Sequence, residues 1–304
     1  MISSVTAAAT AEQLLDSSDE EEPQSTQDHD LAVVALEDAL LAAGGSEGIV
    51  GPRGRRTAHT RQDLLLLLHA RRFDVERAVR LAKTMRSFYA KHPTWEEGDP
   101  RVDARLREAL ASGVHQMLPN RDREGRLVLA FYPQRLVASL VSETTGREIS
   151  MEDHQRGAFF LAQQAVRTDE VTQQKGLVFL VCLEGLTFRK AVTRLLPRMG
   201  RADLTRGTNM AQGGCLPLRV AGVWVVGNPP MVSKLLLGML RPFLRRGKGF
   251  RDKLHLCGAG EKGRERVRAL YGCDGGEEQI PEEIGGGLAA TAAWPTVVAD
   301  TYCS

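Results

Sequence analysis

The 304-residue chain lacks several features that mark familiar classes of protein. It has only five cysteines and no C-x-x-C pair, which argues against a disulfide framework and against a zinc site. Its longest apolar runs, residues 64–68 and 177–183, fall far short of the roughly 20 residues that cross a bilayer. The first residues lack the basic and apolar segments of a secretion signal, so we expect a cytoplasmic protein.

The usual signatures of catalysis are missing as well. The sequence has no Walker A motif, no G-x-S-x-G nucleophile turn and no H-E-x-x-H, and its seven histidines are dispersed. Residues 258–263 match the G-x-G-x-x-G dinucleotide fingerprint, but no convincing strand and helix unit follows them. The basic region lacks interleaved aromatic residues, which argues against nucleic-acid binding. We therefore expect a protein that is not an enzyme, with an unrecognised oxidoreductase as the remote alternative.

Charge is unevenly distributed, although the formal net charge is only +2. The chain begins with an acidic leader rich in Ser, Thr and Gln, which cannot bury enough apolar surface to order itself. Residues 1–27 are therefore predicted to be disordered. Basic residues concentrate in 241–268, whereas 272–304 contain no Lys or Arg. The basic surface is therefore local.

An apolar helical pattern runs over residues 228–244, after paired prolines. Helical spacing gives it one broad apolar face, formed by Val232, Leu235, Leu236, Met239, Leu240 and Phe243. A cationic stretch follows, with Arg245, Arg246, Lys248, Arg251 and Lys253. This combination suggests a membrane-facing lid. The alternative is a plain amphipathic helix that covers a core and is followed by solvated charges.

Periodicity divides the chain into a helical part and an α/β part. Helices are predicted at 31–43, 60–68 and 75–91. Short buried strands are predicted at 126–132, 177–183, 220–226 and 253–257. Helix-rich segments at 151–174, 188–199 and 231–240 separate these strands. That alternation predicts a parallel sheet with right-handed crossovers.

Seven ordered motifs resemble those of one family. They are H-A-R-R-F-D-V-E-R-A at 69–78, L-P-N-R-D-R-E-G-R-L-V-L at 118–129, K-G-L-V-F-L-V-C-L-E-G-L-T-F at 175–188, L-P-L-R-V at 216–220, R-P-F-L at 241–244, L-H-L-C-G at 254–258 and I-P-E-E-I-G-G at 280–286. In this order they resemble the CRAL-TRIO lipid-binding family. Its tocopherol-transfer branch is the most similar, with retinal-binding and clavesin-like proteins nearby.

The resemblance implies an α/β fold with a small helical N-terminal domain at 28–95 and a lipid-binding cage at 96–287. Residues 288–304 would form a tail. The cage would have a mostly parallel sheet as its floor and a mobile helix as its gate. By position, the lipid cavity would be lined by Phe159, Leu177, Val181, Leu218, Val220 and Val223.

The resemblance also implies two surfaces that meet a membrane. A phosphoinositide head group would be bound by Arg71, Arg219, Lys248, Arg251 and Lys253. Apolar contacts with the bilayer or gate would come from Phe188, Val192, Val232, Leu236 and Met239. We expect no cofactor and no metal apart from the bound lipid, and a monomer that visits endosomal or other intracellular membranes transiently.

The implied function is transfer of a hydrophobic, tocopherol-like lipid between membranes, assisted by phosphoinositide docking. A clavesin-like trafficking adaptor and a retinoid carrier are the alternatives. The chain departs from the tocopherol-transfer pattern at Ala158 and Ala162, where that branch has serines, and around 198–214 and 247–249, where it looks longer. His69 stands where the family's turn motif usually has an arginine, so the implied head-group site would have one cation fewer at neutral pH.

Overall fold

The computed structural model describes residues 26–43, 60–96, 98–138, 146, 148–195, 197, 215–227 and 252–271. The predicted helix at 228–244, the segment 198–214, the tail and nearly all of the predicted leader lie outside the described residues. The two last residues assigned to the leader, 26 and 27, are helical. Within the described ranges, no helix has the length and apolar composition needed to cross a bilayer.

Side-chain caps explain where several helices begin. Thr60 and Asp63 form a capping box at the start of the second helix, and Ser150 and Asp153 form another at the seventh. The helices are α1 Thr26–Ala42, α2 Arg61–Ala70, α3 Val75–Lys91, α4 Pro93–Glu96, α5 Ala104–Ala111, α6 Pro133–Ala138, α7 Met151–Thr168, α8 Glu170–Lys175, α9 Phe188–Lys190 and α10 Glu261–Tyr271. A π-helix, Ala191–Leu195, continues α9.

The predicted helices 60–68 and 75–91 are confirmed as α2 and α3, and the one predicted at 31–43 begins earlier, at Thr26. The segment 151–174 was predicted to be helix-rich and is divided into α7 and α8 at Asp169. The backbone N–H of Asp169 donates to Ala165 O at 3.1 Å, and its carboxylate accepts from the Thr172 N–H at 2.8 Å. One residue therefore ends α7 and caps α8.

The strands form one sheet in the order β1 to β5. They are β1 His115–Met117, β2 Val128–Phe131, β3 Leu177–Cys182, β4 Val220–Val226 and β5 Leu254–Gly258. β1 pairs antiparallel with β2, and the other neighbouring pairs are parallel. The predicted α/β class with a mostly parallel sheet is confirmed. β1 was not predicted, because it has only three residues and no apolar run.

The two faces of the sheet are covered by different helices, because successive strand residues point to opposite sides. Leu177, Phe179 and Val223 belong to a core cluster that includes residues of α1, α2, α3 and α7. We call this side the inner face. Val178 and Leu180 point to the outer face, where they pack with residues of α10. The inner face of the sheet is therefore covered by α7 and by the N-terminal helices, which share one apolar core with it.

A polar contact also joins α7 to the segment that follows α3. The Arg156 guanidinium forms an ion pair with Asp103, the residue that caps α5, and donates to Thr94 O at 3.0 Å. The Arg156 side chain is 9% exposed, so water screens this pair only weakly. Because this contact is directional, it helps to orient α7 relative to the N-terminal helices, which apolar packing alone does not do.

Candidate functional site

The side chains predicted to line a lipid cavity lie on the inner face or on elements that pack against it. Phe159 of α7 is 1% exposed, and its ring stacks on Phe88 of α3 at a centroid distance of 5.5 Å. The other buried members of the set are Leu177, Leu218, Val220 and Val223. Val181 is half-buried and packs at the edge of this cluster. The structure thus brings all six together in one apolar region, and their role in lining a cavity stays a prediction.

An apolar row crosses four neighbouring strands near their carboxyl ends. Pairing aligns Phe131 with Val181, Val181 with Val225, and Val225 with Leu256. Adjacent strands lie about 4.8 Å apart, so the row spans roughly 14 Å of the inner face. Phe131, Val181 and Val225 are half-buried and Leu256 is 37% exposed. Among the described residues, these side chains are more exposed than Leu177, Phe179 and Val223 of the same face. Phe131, Val181 and Val225 also pack in part against a cluster that includes Leu136, Leu183 and Ala191.

The sequence prediction included only Val181 from this row. Phe131, Val225 and Leu256 were missed because their alignment depends on strand register. A bulge between Leu177 and Val178 shifts the register of β3 against β4. Once the four strands are aligned, their alternation identifies all members of the apolar row.

Four cations from distant parts of the chain form a second feature, which we call the cationic cluster. Its members are Arg71, Arg72, Arg219 and Lys253. Burial lowers the pKa of Lys253, and the positive charges of Arg219, Arg72 and Arg71 lower it further. Each of the three arginines is therefore near enough to Lys253 to repel its charge. The sequence prediction named three of the four and missed Arg72; the other predicted members, Lys248 and Arg251, lie outside the described residues.

Backbone carbonyls hold two members of the cationic cluster in place. Arg219 Nη2 donates to Gln174 O at 2.7 Å, and Lys253 Nζ donates to Val220 O at 2.6 Å. Arg219 directly precedes β4 and Lys253 directly precedes β5, so both lie at the amino ends of parallel strands. The cationic cluster and the apolar row thus occupy opposite ends of the same strands.

The turn between α2 and α3 supplies the remaining cations in an unusual conformation. Arg72 and Phe73 have φ angles of 54° and 61°, in the left-handed region that costs non-glycine residues about 1–2 kcal/mol each. Backbone bonds from Phe73 N to Leu68 O at 2.9 Å and from Asp74 N to Arg71 O at 3.1 Å close the turn. Strain of this kind persists only where surrounding contacts hold it, and it concentrates at ligand sites.

Gly176 fixes the position of Arg219 through a close backbone approach. Its φ is +89°, and a Cβ there would lie 2.5 Å from Arg219 O. The Leu177 N–H donates to the same oxygen at 2.9 Å. We expect Gly176→Ala to lower the free energy of unfolding by about 3 kcal/mol, because it adds a backbone clash to a strained φ. Urea denaturation measures this loss.

Gly125→Ala is the matched control for that substitution. Gly125 has a similar φ of +79°, but its Cβ would meet only Val171 Cγ1, at 3.7 Å. The control carries the conformational strain without the clash, so about 1 kcal/mol is expected. Equal losses in the two variants would show that the approach to Arg219 O does not constrain the fold.

An exposed apolar pair lies after the carboxyl end of β3. Phe188 is 40% exposed and Val192 is 38% exposed, and Arg189, Lys190 and Arg194 are exposed around them. The π-helix places Val192 one turn beyond Phe188, and such irregular turns are frequent at functional sites. Both residues were predicted to contact membranes. The other predicted members, Val232, Leu236 and Met239, lie outside the described residues.

The glycine-rich run 258–263 joins β5 to α10, as a dinucleotide fingerprint would. A Cβ on Gly263 would lie 2.5 Å from Gly258 O, so this glycine permits close packing of the helix on the strand. However, β5 is the edge strand of the described sheet, and its neighbour β4 precedes it in sequence. A dinucleotide fold places its fingerprint on a strand followed by further βαβ units. The run is therefore explained by packing of α10.

Comparison with known proteins gives relatives that include the alpha-tocopherol transfer protein-like proteins of three mammals. Alpha-tocopherol transfer protein-like proteins of Homo sapiens and Pongo abelii are 26% identical to the chain over 238 residues, and that of Mus musculus is 26% identical over 239 residues. These alignments cover 77% of the chain but 61% of each relative, so the chain spans about three fifths of their length. No protein-family model matches.

Among solved structures, the crystal structure of Sfh5 aligns with a TM-score of 0.47 and 11% identity, covering 83% of this chain and 88% of that one. The chain is similar to the alpha-tocopherol transfer protein-like proteins over about three quarters of its length, and the predicted resemblance to proteins of that kind is confirmed.

Proposed function

We propose that this protein is a non-enzymatic carrier that binds a hydrophobic, tocopherol-like lipid over the inner face and delivers it to membranes. The apolar row is the observation that carries the proposal. A prenyl or hydrocarbon chain requires a continuous apolar surface with few polar groups. Burying about 500 Å² of such a ligand at about 25 cal/mol/Å² contributes roughly 12 kcal/mol before the costs of association. The relatives named for tocopherol transfer support the same class of ligand.

Such tight binding makes release slow, so a carrier needs contact with a membrane to open. We assign that contact to the exposed pair Phe188 and Val192 and to the cationic cluster. Phosphorylated inositol head groups carry several negative charges, which converging Arg and Lys side chains bind well. The exposed pair lies after the carboxyl end of β3, and the cationic cluster lies at the amino ends of β4 and β5. Lipid release and head-group binding would therefore take place at opposite ends of the parallel strands.

The cationic cluster also favours a second candidate function, that of a phosphoinositide-binding trafficking adaptor. An adaptor would need the head-group site but not the apolar row. A retinoid carrier would use the same apolar row with a different ligand. In each case we propose a monomeric cytoplasmic protein that associates transiently with endosomal or other intracellular membranes.

Organic extraction of the purified protein, followed by mass spectrometry, separates these functions. A stoichiometric tocopherol or retinoid is the expected result for a carrier and identifies which lipid it holds. Recovery of a phosphoinositide alone would favour the adaptor. A bound nucleotide would contradict the proposal and revive the oxidoreductase alternative.

The exposed apolar pair gives a kinetic test of the carrier mechanism. Phe188→Ser combined with Val192→Ser should slow transfer of a fluorescent tocopherol analogue between vesicles about tenfold, because the docked state loses buried apolar area. Equilibrium affinity for the analogue should change less than twofold, since neither side chain belongs to the apolar row. Stopped-flow transfer and a binding titration on the same samples measure the two quantities.

A matched control uses exposed apolar residues elsewhere on the surface. Leu41 is 54% exposed and Val102 is 82% exposed. Serine at both positions removes a similar apolar area and should leave the transfer rate within twofold of wild type. If this control slowed transfer as much as the Phe188 and Val192 double variant, the membrane contact would not be specific to the exposed pair.

A further inference from the structure

Three aromatic rings connect α1 to the turn that carries Arg71 and Arg72. His29 of α1 stacks on Phe73 with a centroid distance of 4.3 Å and an interplanar angle of 13°. His69, near the end of α2, meets the edge of Phe73 at 5.0 Å and lies 6.0 Å from His29. We call these three residues the histidine stack. Since Phe73 is one of the two strained turn residues, the histidine stack supports the conformation that presents Arg71 and Arg72.

The surroundings of His69 are mostly cationic. His29 faces it from α1, Arg219 from the residue before β4, and Glu170 from α8, against which α2 packs. Arg71, Arg72 and Lys253 complete the neighbouring cationic cluster. Burial lowers the pKa of His69 from 6.5, the charges of His29 and Arg219 lower it further, and Glu170 opposes them. His69 is therefore neutral at neutral pH and gains its proton only in a more acidic medium.

A bound phosphate group changes this balance. Its negative charge offsets the repulsion from Arg219 and His29, so it favours the protonated form of His69. Linkage makes the effect reciprocal: protonation of His69 must then strengthen binding of the phosphate group by the same factor. Binding of the phosphate group should therefore tighten as the pH falls, because the extra cation exists below the pKa of His69 and is absent above it.

We propose that the histidine stack makes the cationic cluster pH-sensitive, so that phosphorylated lipid head groups bind more tightly in mildly acidic surroundings than at neutral pH. The proposal rests on the head-group docking inferred above and adds its regulation. Acidification would retain the protein on an anionic membrane, and a return to neutral pH would release it. The ligand chemistry is a phosphate monoester, which a lipid surface or a soluble inositol phosphate could supply.

Binding to phosphatidylcholine vesicles that contain phosphatidylinositol 4,5-bisphosphate tests the proposal, measured by sedimentation from about pH 7.5 to about pH 5. The comparison is between the wild-type chain, His69→Phe, which keeps an aromatic ring without a charge, and His69→Arg, which is charged throughout. The head-group phosphates also titrate in this range. That titration is common to all three proteins, so ratios of affinity between them isolate the histidine.

We expect the wild type to bind about fivefold more tightly than His69→Phe at the acidic end and equally well at neutral pH. His69→Arg should exceed His69→Phe by about that factor at every pH. Identical ratios of wild type to His69→Phe across the range would overturn the proposal. Absence of vesicle binding by the wild type at any pH would instead remove the head-group docking on which it rests.

Two further measurements make the result specific. Soluble inositol trisphosphate, titrated against the wild-type chain without vesicles, shows whether the phosphate group alone is sufficient or a lipid surface is required. An equal pH-dependent gain in both titrations assigns the effect to the head group. If the protein binds both ligands but binds neither of them more tightly at acidic pH, the proposal is contradicted. Circular dichroism of His69→Phe at both ends of the pH range verifies that the fold is retained, and His69→Gln provides a second neutral variant.

Discussion

Replacing Arg219 and Lys253 together by glutamate should reduce binding to phosphoinositide vesicles about a hundredfold or more. Each cation near an anionic surface contributes about 1 kcal/mol to binding. Replacing it by an anion removes that attraction and adds a repulsion. The wild-type interaction should weaken as salt rises, because added ions screen exposed charges. Vesicle sedimentation at several ionic strengths measures both effects. Bound lipid should remain, since the apolar row lies at the other end of the strands.

Two companion variants make this prediction specific to the cationic cluster. Glutamine at both positions removes the charges without reversing them, and it should weaken binding about thirtyfold. It also keeps the test possible if the glutamate variant does not fold. Lys83→Glu with Lys91→Glu produces the same change in net charge on exposed positions of α3. That control should leave binding within threefold of wild type. Equal losses in the control and the reversed pair would mean that the vesicles sense total charge rather than a site.

Local signals predicted much of the fold. The runs R-L-V-L-A-F-Y and L-V-F-L-V-C-L contain β-branched and aromatic residues too short for helices, and both are strands in the structure. Helices predicted at 60–68 and 75–91 are present too, and in the structure the side chains of Thr60 and Asp74 cap their first turns. β1 carries no such signal. Its three residues are held by antiparallel pairing with β2, which only the folded chain provides.

The candidate site was harder to predict, because it depends on the register of the strands and on side chains that come together from distant parts of the chain. Motif position identified Arg219 and Lys253 but not Arg72, whose proximity follows from a left-handed turn. Phe159 is predicted to line the lipid cavity, and in the structure its ring packs on Phe88 and at the edge of Trp95. An apolar helix residue can meet either a ligand or a neighbouring helix, and composition does not distinguish the two. Only Val181 among the predicted lining residues belongs to the apolar row.

Val181 therefore offers the sharpest test of lipid binding. Val181→Asp should abolish loading of a tocopherol analogue while the chain still folds. A carboxylate in the apolar row must lose its hydration or stay protonated when lipid covers it, and either costs several kcal/mol. Without lipid, the half-buried position leaves the carboxylate near water, so the cost to folding is smaller. Fluorescence titration and circular dichroism measure loading and folding separately.

The preceding residue on the same strand provides the control. Leu180 is 0% exposed and points to the outer face, so Leu180→Asp places a charge in a closed core and should unfold the protein. Val181→Thr, which replaces one methyl group with a hydroxyl, should weaken loading about tenfold by leaving one polar group unpaired beneath the lipid. The predicted order of lipid affinity is wild type, Val181→Thr, Val181→Asp. Full loading of a folded Val181→Asp protein would place the ligand elsewhere and withdraw the apolar row as the floor of its site.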